Sequence, residues 1–404
     1  MTAIVSADDH VVEPPDLFVR YLPRRFHDAA PRVVRTPWRW CATQASLQYV
    51  EPAPNGPEAD CWQIGDLRLF MPKEIVAVGA PPEEIDGSPT NYEDMRPAFY
   101  EPHARLADMD VIGVERSLCF PNVVRFCGQV FMLMDDKELG LACVRAYNDW
   151  IVEEWCSDSD GRLLAVGLIP LWDPIVAAAE VRRNAARGVR AVACSELPAL
   201  LGLPSLYDPA GYWVPLVEAC AETGTVICMH IGSSSTRPTR SPDSPLAVGS
   251  AIKSQTAMAA LAEWLFSGFL PRFPSLTLAL SESQLGWMPY MLEQCDRIWR
   301  QRSASMGISP SIVEPPSHYF ARQVYGCAFE DDFGLGSRAA IGVDRITFET
   351  DYPHQDSTWP NTQAYFAKVT AGFSEADAYK LARANALAML GLRDDLTEAT
   401  VAGR

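Results

Sequence analysis

Residues 3–10, AIVSADDH, and residues 346–354, ITFETDYPH, lie near opposite ends of a 404-residue chain yet read alike. Each is a short apolar run that breaks into a carboxylate and an imidazole. The two read as strands buried on both faces, as parallel sheets require. Six further runs of the same kind lie between them: Glu115–Phe120, Leu164–Ile169, Val189–Cys194, Thr225–His230, Leu276–Ser281 and Gln323–Ala328. With Ala3–Ala7 and Ile346–Thr350 they make eight. Helical spacing of apolar residues fills the gaps over Lys137–Cys156, Pro174–Arg187, Tyr212–Thr223, Ala251–Phe269, Gly286–Arg302 and Glu375–Leu390. Gly188, Gly224 and Pro274 punctuate the joins. Eight strands with interleaved helices predict an α/β fold of the (β/α)8 barrel type, in preference to an open doubly wound sheet.

The whole chain, 1–404, then forms one barrel domain, with residues 11–100 as an insertion after the first strand. A long insertion there is expected to act as a cap or lid over the C-terminal mouth. Its stretch 33–70, rich in Pro and aromatics, predicts a small hairpin. Trp38, Trp40 and Trp62 are expected to cover an apolar pocket. The tail after Leu392 reads as a frayed terminus.

Composition narrows the function. The formal net charge of −17 disfavours nucleic acid and anionic membrane as partners. No run of 18 apolar residues suggests a membrane span, and the first ten residues carry no secretory signal. Eleven cysteines, an odd number without a CxxC pair, suggest free thiols and a cytoplasmic location. Only five of the 34 basic residues are Lys: Lys73, Lys137, Lys253, Lys368 and Lys380.

Catalytic groups of a barrel come from the C-terminal ends of several strands. Here the first strand ends in Asp8-Asp9-His10, the fifth in His230, the sixth in Ser281-Glu282 and the eighth in Asp351 followed by His354. Asp8 and His10, two apart on a strand, point to one face and can serve one ion. Asp8, His10, His230, Glu282, Asp351 and His354 are therefore candidate metal ligands. His230, Glu282 and Asp351 are also the candidate catalytic groups. Mixed imidazole and carboxylate donors suit iron, zinc or manganese. Each residue has an ordinary alternative: Asp8, Asp9 and Asp351 as turn formers, Glu282 as a helix cap, His230 as a satisfied core histidine. Their coincidence at one end is what favours a site. His318, in a Pro-rich stretch before the seventh strand, is a candidate substrate contact together with Trp38 and Trp62.

SADDHVVEPPDLF, TVICMHIGSS, FPSLTLALSESQLGWMPYMLEQCDRIW and GVDRITFETDYPHQDSTWP resemble the amidohydrolase superfamily, in particular its decarboxylase-like branch. The resemblance implies a (β/α)8 barrel with a metal at its mouth, held by Asp8, His10, His230 and Asp351. Two departures stand out. The usual His-x-His of the first strand is Asp8-x-His10, and the sixth strand offers Glu282 where a His is common. No Lys lies near the fourth strand, VRAVACSELP, so a Lys-bridged dizinc centre is not expected, and Glu196 is the nearest acid. The carboxylate-rich set is also similar to a nonheme diiron monooxygenase group of the same barrel, the platensimycin type of diterpenoid antibiotic biosynthesis. That likeness implies an oxidoreductase with two irons per chain that hydroxylates an apolar acyl group, the substrate being CoA-linked. Dioxygen and an electron donor would be its partners, and Arg side chains would hold the CoA phosphates. The alternative is a hydrolase or nonoxidative decarboxylase with zinc or manganese, in which Asp351 is the general base. A silent metal-binding protein is a third reading. Barrels of this type often pair, so a homodimer is an open expectation.

Overall fold

The computed structural model describes residues 2–41, 50–238, 241, 243–301 and 304–394. Twelve strands are found among them: β1 (Ile4–Val11), β2 (Arg32–Trp40), β3 (Val50–Pro52), β4 (Glu58–Ile64), β5 (Leu67–Phe70), β6 (Val114–Pro121), β7 (Leu163–Gly167), β8 (Ala191–Ser195), β9 (Val226–His230), β10 (Leu278–Ser281), β11 (Val324–Ala328) and β12 (Ile346–Phe348). Eight of them, in the order β1-β6-β7-β8-β9-β10-β11-β12, form one parallel sheet. The ring closes just past β12, where Asp351 N donates to Asp8 O at 3.1 Å and His10 N donates to Tyr352 O. This is the expected (β/α)8 barrel.

Strand boundaries agree with the sequence reading to within about two residues, except at the end of β1. That strand runs four residues past Ala7, through Asp8, Asp9 and His10, and all eight of its residues are buried. Polar residues do not read as strand. Here neighbouring groups satisfy the backbone and one carboxylate. Asp9 accepts from Ser117 Oγ and Thr350 Oγ1, each at 2.5 Å, and from Tyr352 N at 3.0 Å. Arg105, buried beneath, donates to His10 O and Ala98 O. Asp9 thereby ties the first and last strands together and leaves Asp8 and His10 for other work.

The barrel helices start at caps written in the sequence. Asp136 accepts from Glu138 N and Leu139 N ahead of Lys137–Trp150. Asp173 accepts from Ile175 N and Val176 N ahead of Pro174–Ala185. Gly113 and Gly224 close other helices in the left-handed conformation that favours glycine.

Between β1 and the helix Pro102–Ile112, the insertion folds into a four-stranded antiparallel sheet in the order β3-β2-β4-β5. This is more than the expected hairpin: β4 and β5 pair tightly across Gly65, and β2 lies alongside β4 with Val33 opposite Trp62. Residues 42–49 of the quoted stretch lie outside the described residues, as does the tail from 395 onward. No helix among the described residues is long and apolar enough to cross a membrane.

Candidate metal centre

The ends of β1, β9, β10 and β12 bring six polar side chains to one point. His10 Nε2 lies 3.2 Å from His230 Nε2, and 3.5 Å from both Asp8 Oδ1 and Asp351 Oδ1. His230 Nε2 lies 3.3 Å from Glu282 Oε1 and 3.6 Å from Asp8 Oδ2. His354 Nδ1 completes the cluster, 2.8 Å from Asp351 Oδ1 and 3.4 Å from Glu282 Oε1. All six are buried. Asp8, His10, His230, Glu282, Asp351 and His354, all named from the sequence, are thus neighbours.

Local structure aims these groups. His10 Nδ1 faces Pro121 O at 3.4 Å and His230 Nδ1 faces Ile231 O at 2.7 Å. With Nδ1 protonated towards a carbonyl, each ring presents its Nε2 lone pair to the centre. Glu282 and Asp351 both have positive φ, 50° and 48°. That left-handed backbone is uncommon outside glycine and gathers at functional sites.

The electrostatics call for a cation. Burial, then the carboxylates of Glu349, Glu282 and Asp351, drive Asp8 well above the usual carboxylate range. Burial raises Asp351, His354 restrains it and Glu282 adds to the rise, leaving it at about 7. Burial and the neighbouring His354 and His230 push His10 well below its usual value. Burial works against charge on His354, yet Asp351 and Glu282 lift it to about 10. Burial likewise works against Glu282, but His230 and Lys253 hold it low. Both oxygens of Asp8 and Oδ2 of Asp351 are buried without a hydrogen-bond donor. Two facing imidazole lone pairs beside orphaned carboxylate oxygens form a donor set that a divalent ion would satisfy. The residues therefore fit a metal.

They fit one ion rather than two. Asp8, His10 and His230 form one group of candidate ligand atoms, and His10, Glu282, Asp351 and His354 another, each within 4.8 Å. Both groups include His10, whose Nδ1 is turned to a carbonyl, and its one remaining nitrogen serves one ion. The expectation of two irons is corrected on this ground.

A cavity of about 240 Å³ adjoins the centre, lined by Trp62, Phe70, Ile75, Arg125, Phe126 and Arg237 among others. No candidate ligand lines it. Phe126 is the shared wall: its ring stacks on His230 at 3.9 Å and lies 5.2 Å from that of His10. Gly232, at φ +86°, carries the β9 loop past this ring. Trp62 is anchored by its Nε1 donating to Tyr92 Oη at 2.9 Å, and Tyr92 in turn donates to Glu13 O.

The other expected substrate contacts lie elsewhere. Trp38 packs on the small sheet's own core of Val50, Ala59, Cys61 and Phe70, and Trp40 is half exposed. His318 is exposed at the start of the helix Pro316–Gln323, edge-on to Tyr319, and does not line the cavity. The sequence reading missed Phe126 and Arg125, which follow β6 in an apolar loop without a motif. It also missed Glu349, a buried acid inside the last strand run that accepts from Glu282 N at 3.3 Å. Glu196 turns away from the centre and accepts from Ser233 Oγ, Ser234 Oγ and Gly232 N, fixing the loop behind His230.

Comparison with known proteins agrees with this geometry. The family model described as amidohydrolase matches residues 48–392. The chain is 26% identical over 303 residues to a gamma-resorcylate decarboxylase of Rhizobium sp. (strain MTP-10005), covering 70% of this chain and 84% of that protein. An amidohydrolase from Mycobacterium avium subsp. paratuberculosis K-10 has a similar structure, with TM-score 0.68, 22% identity and 98% and 99% of the two chains covered. So does a dihydroxybenzoic acid decarboxylase from Polaromonas sp. JS666, solved with bound manganese and the inhibitor 2-nitroresorcinol, with TM-score 0.62, 17% identity and 98% and 99% covered. These findings overturn the diiron monooxygenase of the platensimycin type, and with it the oxidoreductase activity and iron. Dioxygen, an electron donor and an acyl-CoA fall as partners too, since the gamma-resorcylate and dihydroxybenzoic acid relatives are decarboxylases of aromatic acids.

Proposed function

Because the chain belongs to the amidohydrolase family, we propose that it is a metal-dependent, nonoxidative decarboxylase of a small aromatic acid. One divalent ion of the manganese or zinc type would be held by Asp8, His10, His230 and Asp351, with Glu282 and His354 beside it. The decarboxylase relatives and the manganese bound in one of them support this reading. The observation that carries it is the buried donor cluster: Asp8, His10, His230 and Asp351 converge at the strand ends, with His354 Nδ1 2.8 Å from Asp351 Oδ1.

Loss of carbon dioxide from an arene requires a proton at the ring carbon that bears the carboxylate. The carbon–carbon bond then breaks, its electron pair stays in the ring, and carbon dioxide leaves. Asp351 would donate that proton, and His354, 2.8 Å behind it and held protonated, would restore it. An ion held there would supply Lewis acidity towards anionic oxygens of a substrate. His10 and His230 hold their Nε2 atoms towards it through their Nδ1 contacts. Trp62 and Phe126 would pack on the ring faces and exclude water.

We read residues 11–100 as the cap of a single barrel domain over 1–404. The eleven unpaired thiols support a cytoplasmic location. The test is carbon dioxide release from 2,6-dihydroxybenzoate and related hydroxybenzoates by manganese-loaded protein under anaerobic conditions. Turnover without dioxygen is expected. Absence of carbon dioxide release from every aromatic acid tried would overturn the reading.

A further inference from the structure

Lysine is scarce in this chain, five of 34 basic residues, yet one of the five reaches the metal centre. Lys253 stands in the turn between the helices Leu246–Ala251 and Gln255–Phe266, on the segment that follows β9. Its Nζ lies 2.8 Å from Asp356 Oδ2, 3.8 Å from Glu282 Oε2 and 5.3 Å from the centre of the Phe329 ring. The β9 segment is thereby tied to the ends of β10 and β11 and to the turn after β12. Glu282 divides its two oxygens. Oε1 faces His230 Nε2 at 3.3 Å and His354 Nδ1 at 3.4 Å, while Oε2 faces the ammonium. Its main chain is fixed, with N donating to Glu349 Oε2 at 3.3 Å and φ at 50°. The direction of its carboxylate is therefore set by what its oxygens meet. Three carboxylates, those of Asp8, Glu282 and Asp351, gather here, and one divalent ion balances two of them. The third, buried like the others, needs a cation of its own.

We propose that Lys253 sets the strength of metal binding by holding Glu282 as an ion-pair partner instead of a ligand, so that Asp8, His10, His230 and Asp351 alone grip the ion. The inference rests on the single-ion assignment made above and on no step of decarboxylation. Glu282 belongs to one of the two groups of candidate ligand atoms, so the ion and the ammonium compete for the same carboxylate. Loss of the ammonium frees that carboxylate and removes a like charge from beside the ion, and both changes tighten binding. A lysine that served only to brace the β9 segment would act with the opposite sign, because its loss would loosen the ligands.

Calorimetric titration of manganese and, separately, of zinc into the metal-free full chain tests this, with circular dichroism as the check on folding. In Lys253→Met the dissociation constant is expected to fall about tenfold or more. Lys253→Arg, which keeps the charge, should stay within about threefold of the wild type. In a Glu282→Gln background the same Lys253→Met change should shift affinity by less than about threefold, since the carboxylate it would free is gone. Lys253→Gln replaces the Met variant if that one does not fold. Unchanged or weaker binding in the neutral variants, or an equal gain in the Glu282→Gln background, overturns the assignment. A wild type that binds neither ion overturns it together with the single-ion reading. One ion in the wild type and no gain in the neutral variants sinks this inference alone, so the two failures are distinguishable.

Discussion

The metal centre and the cavity wall are built on opposite plans. The centre takes its groups from the ends of β1, β9 and β10 and the turn after β12, where the strand ladder fixes direction. The wall takes Trp62 and Phe70 from an inserted sheet, Arg125 and Phe126 from the loop after β6, and Gly232 from the loop after β9. The first region is polar and buried, with donors facing inward. The second is mostly apolar, with Glu74, Arg125 and Arg237 among its lining residues. The contrast teaches a division of structure: the strand ends carry the clustered donors, and the insertion and loops line the adjoining cavity.

Changes on the strand side should be the more severe. His230→Ala removes an Nε2 donor that faces His10 at 3.2 Å, and metal content measured by elemental analysis should fall to near background, with turnover undetectable. Circular dichroism should still report a folded barrel. A variant that loads metal normally would remove His230 from the centre.

Asp351→Asn keeps the shape and removes the proton. Decarboxylation should fall about 10²–10⁴-fold, the usual contribution of a positioned general acid. Wild-type rates in this variant would assign the proton to another group.

On the cap side the expected effects are smaller and differ between two tryptophans. Trp62→Ala should destabilise the protein by about 3–5 kcal/mol, because a fully buried indole is replaced by a cavity. Trp40→Ala, at a half-exposed ring, should change stability by no more than about 0.5 kcal/mol. Equal losses in urea unfolding would blur the boundary between cavity wall and outer surface.

The mildest perturbation is pH. In metal-free protein His354 is lifted from its usual 6.5 to about 10 by Asp351 and Glu282. A raised histidine stabilises the fold fully below its unfolded pKa and loses that contribution as pH rises through the folded one. Urea midpoints of metal-free protein should therefore decline between about pH 6.5 and 10. Metal affinity should rise over the same window, since a protonated His354 beside the centre repels a cation. A flat profile in both would show that His354 does not carry the charge.

The same division explains what was legible in the sequence. Each barrel strand stands out as a short apolar run, and consecutive βα units allow one simple order, so the fold could be read. The six clustered side chains could be read because strand ends place residues without knowledge of loops. The end of β1 could not, because Asp9 becomes strand-compatible only through Ser117 and Thr350, more than a hundred residues away. Phe126 and Arg125 left no signal, since their roles depend on where a loop lies against β9 and the insertion. Trp38, Trp40 and Trp62 look alike in sequence, and only the register of β2 on β4 separates the ring that lines the cavity. The diiron expectation failed because ligand types alone do not count ions. The shared His10 does, and it is visible only in three dimensions.

Anomalous scattering from metal-replete crystals, collected at the manganese, iron and zinc edges, tests the central claim most directly. The account predicts one manganese or zinc ion per chain, ligated by Asp8, His10, His230 and Asp351. Two irons per chain, or an ion bound away from these four residues, would contradict it.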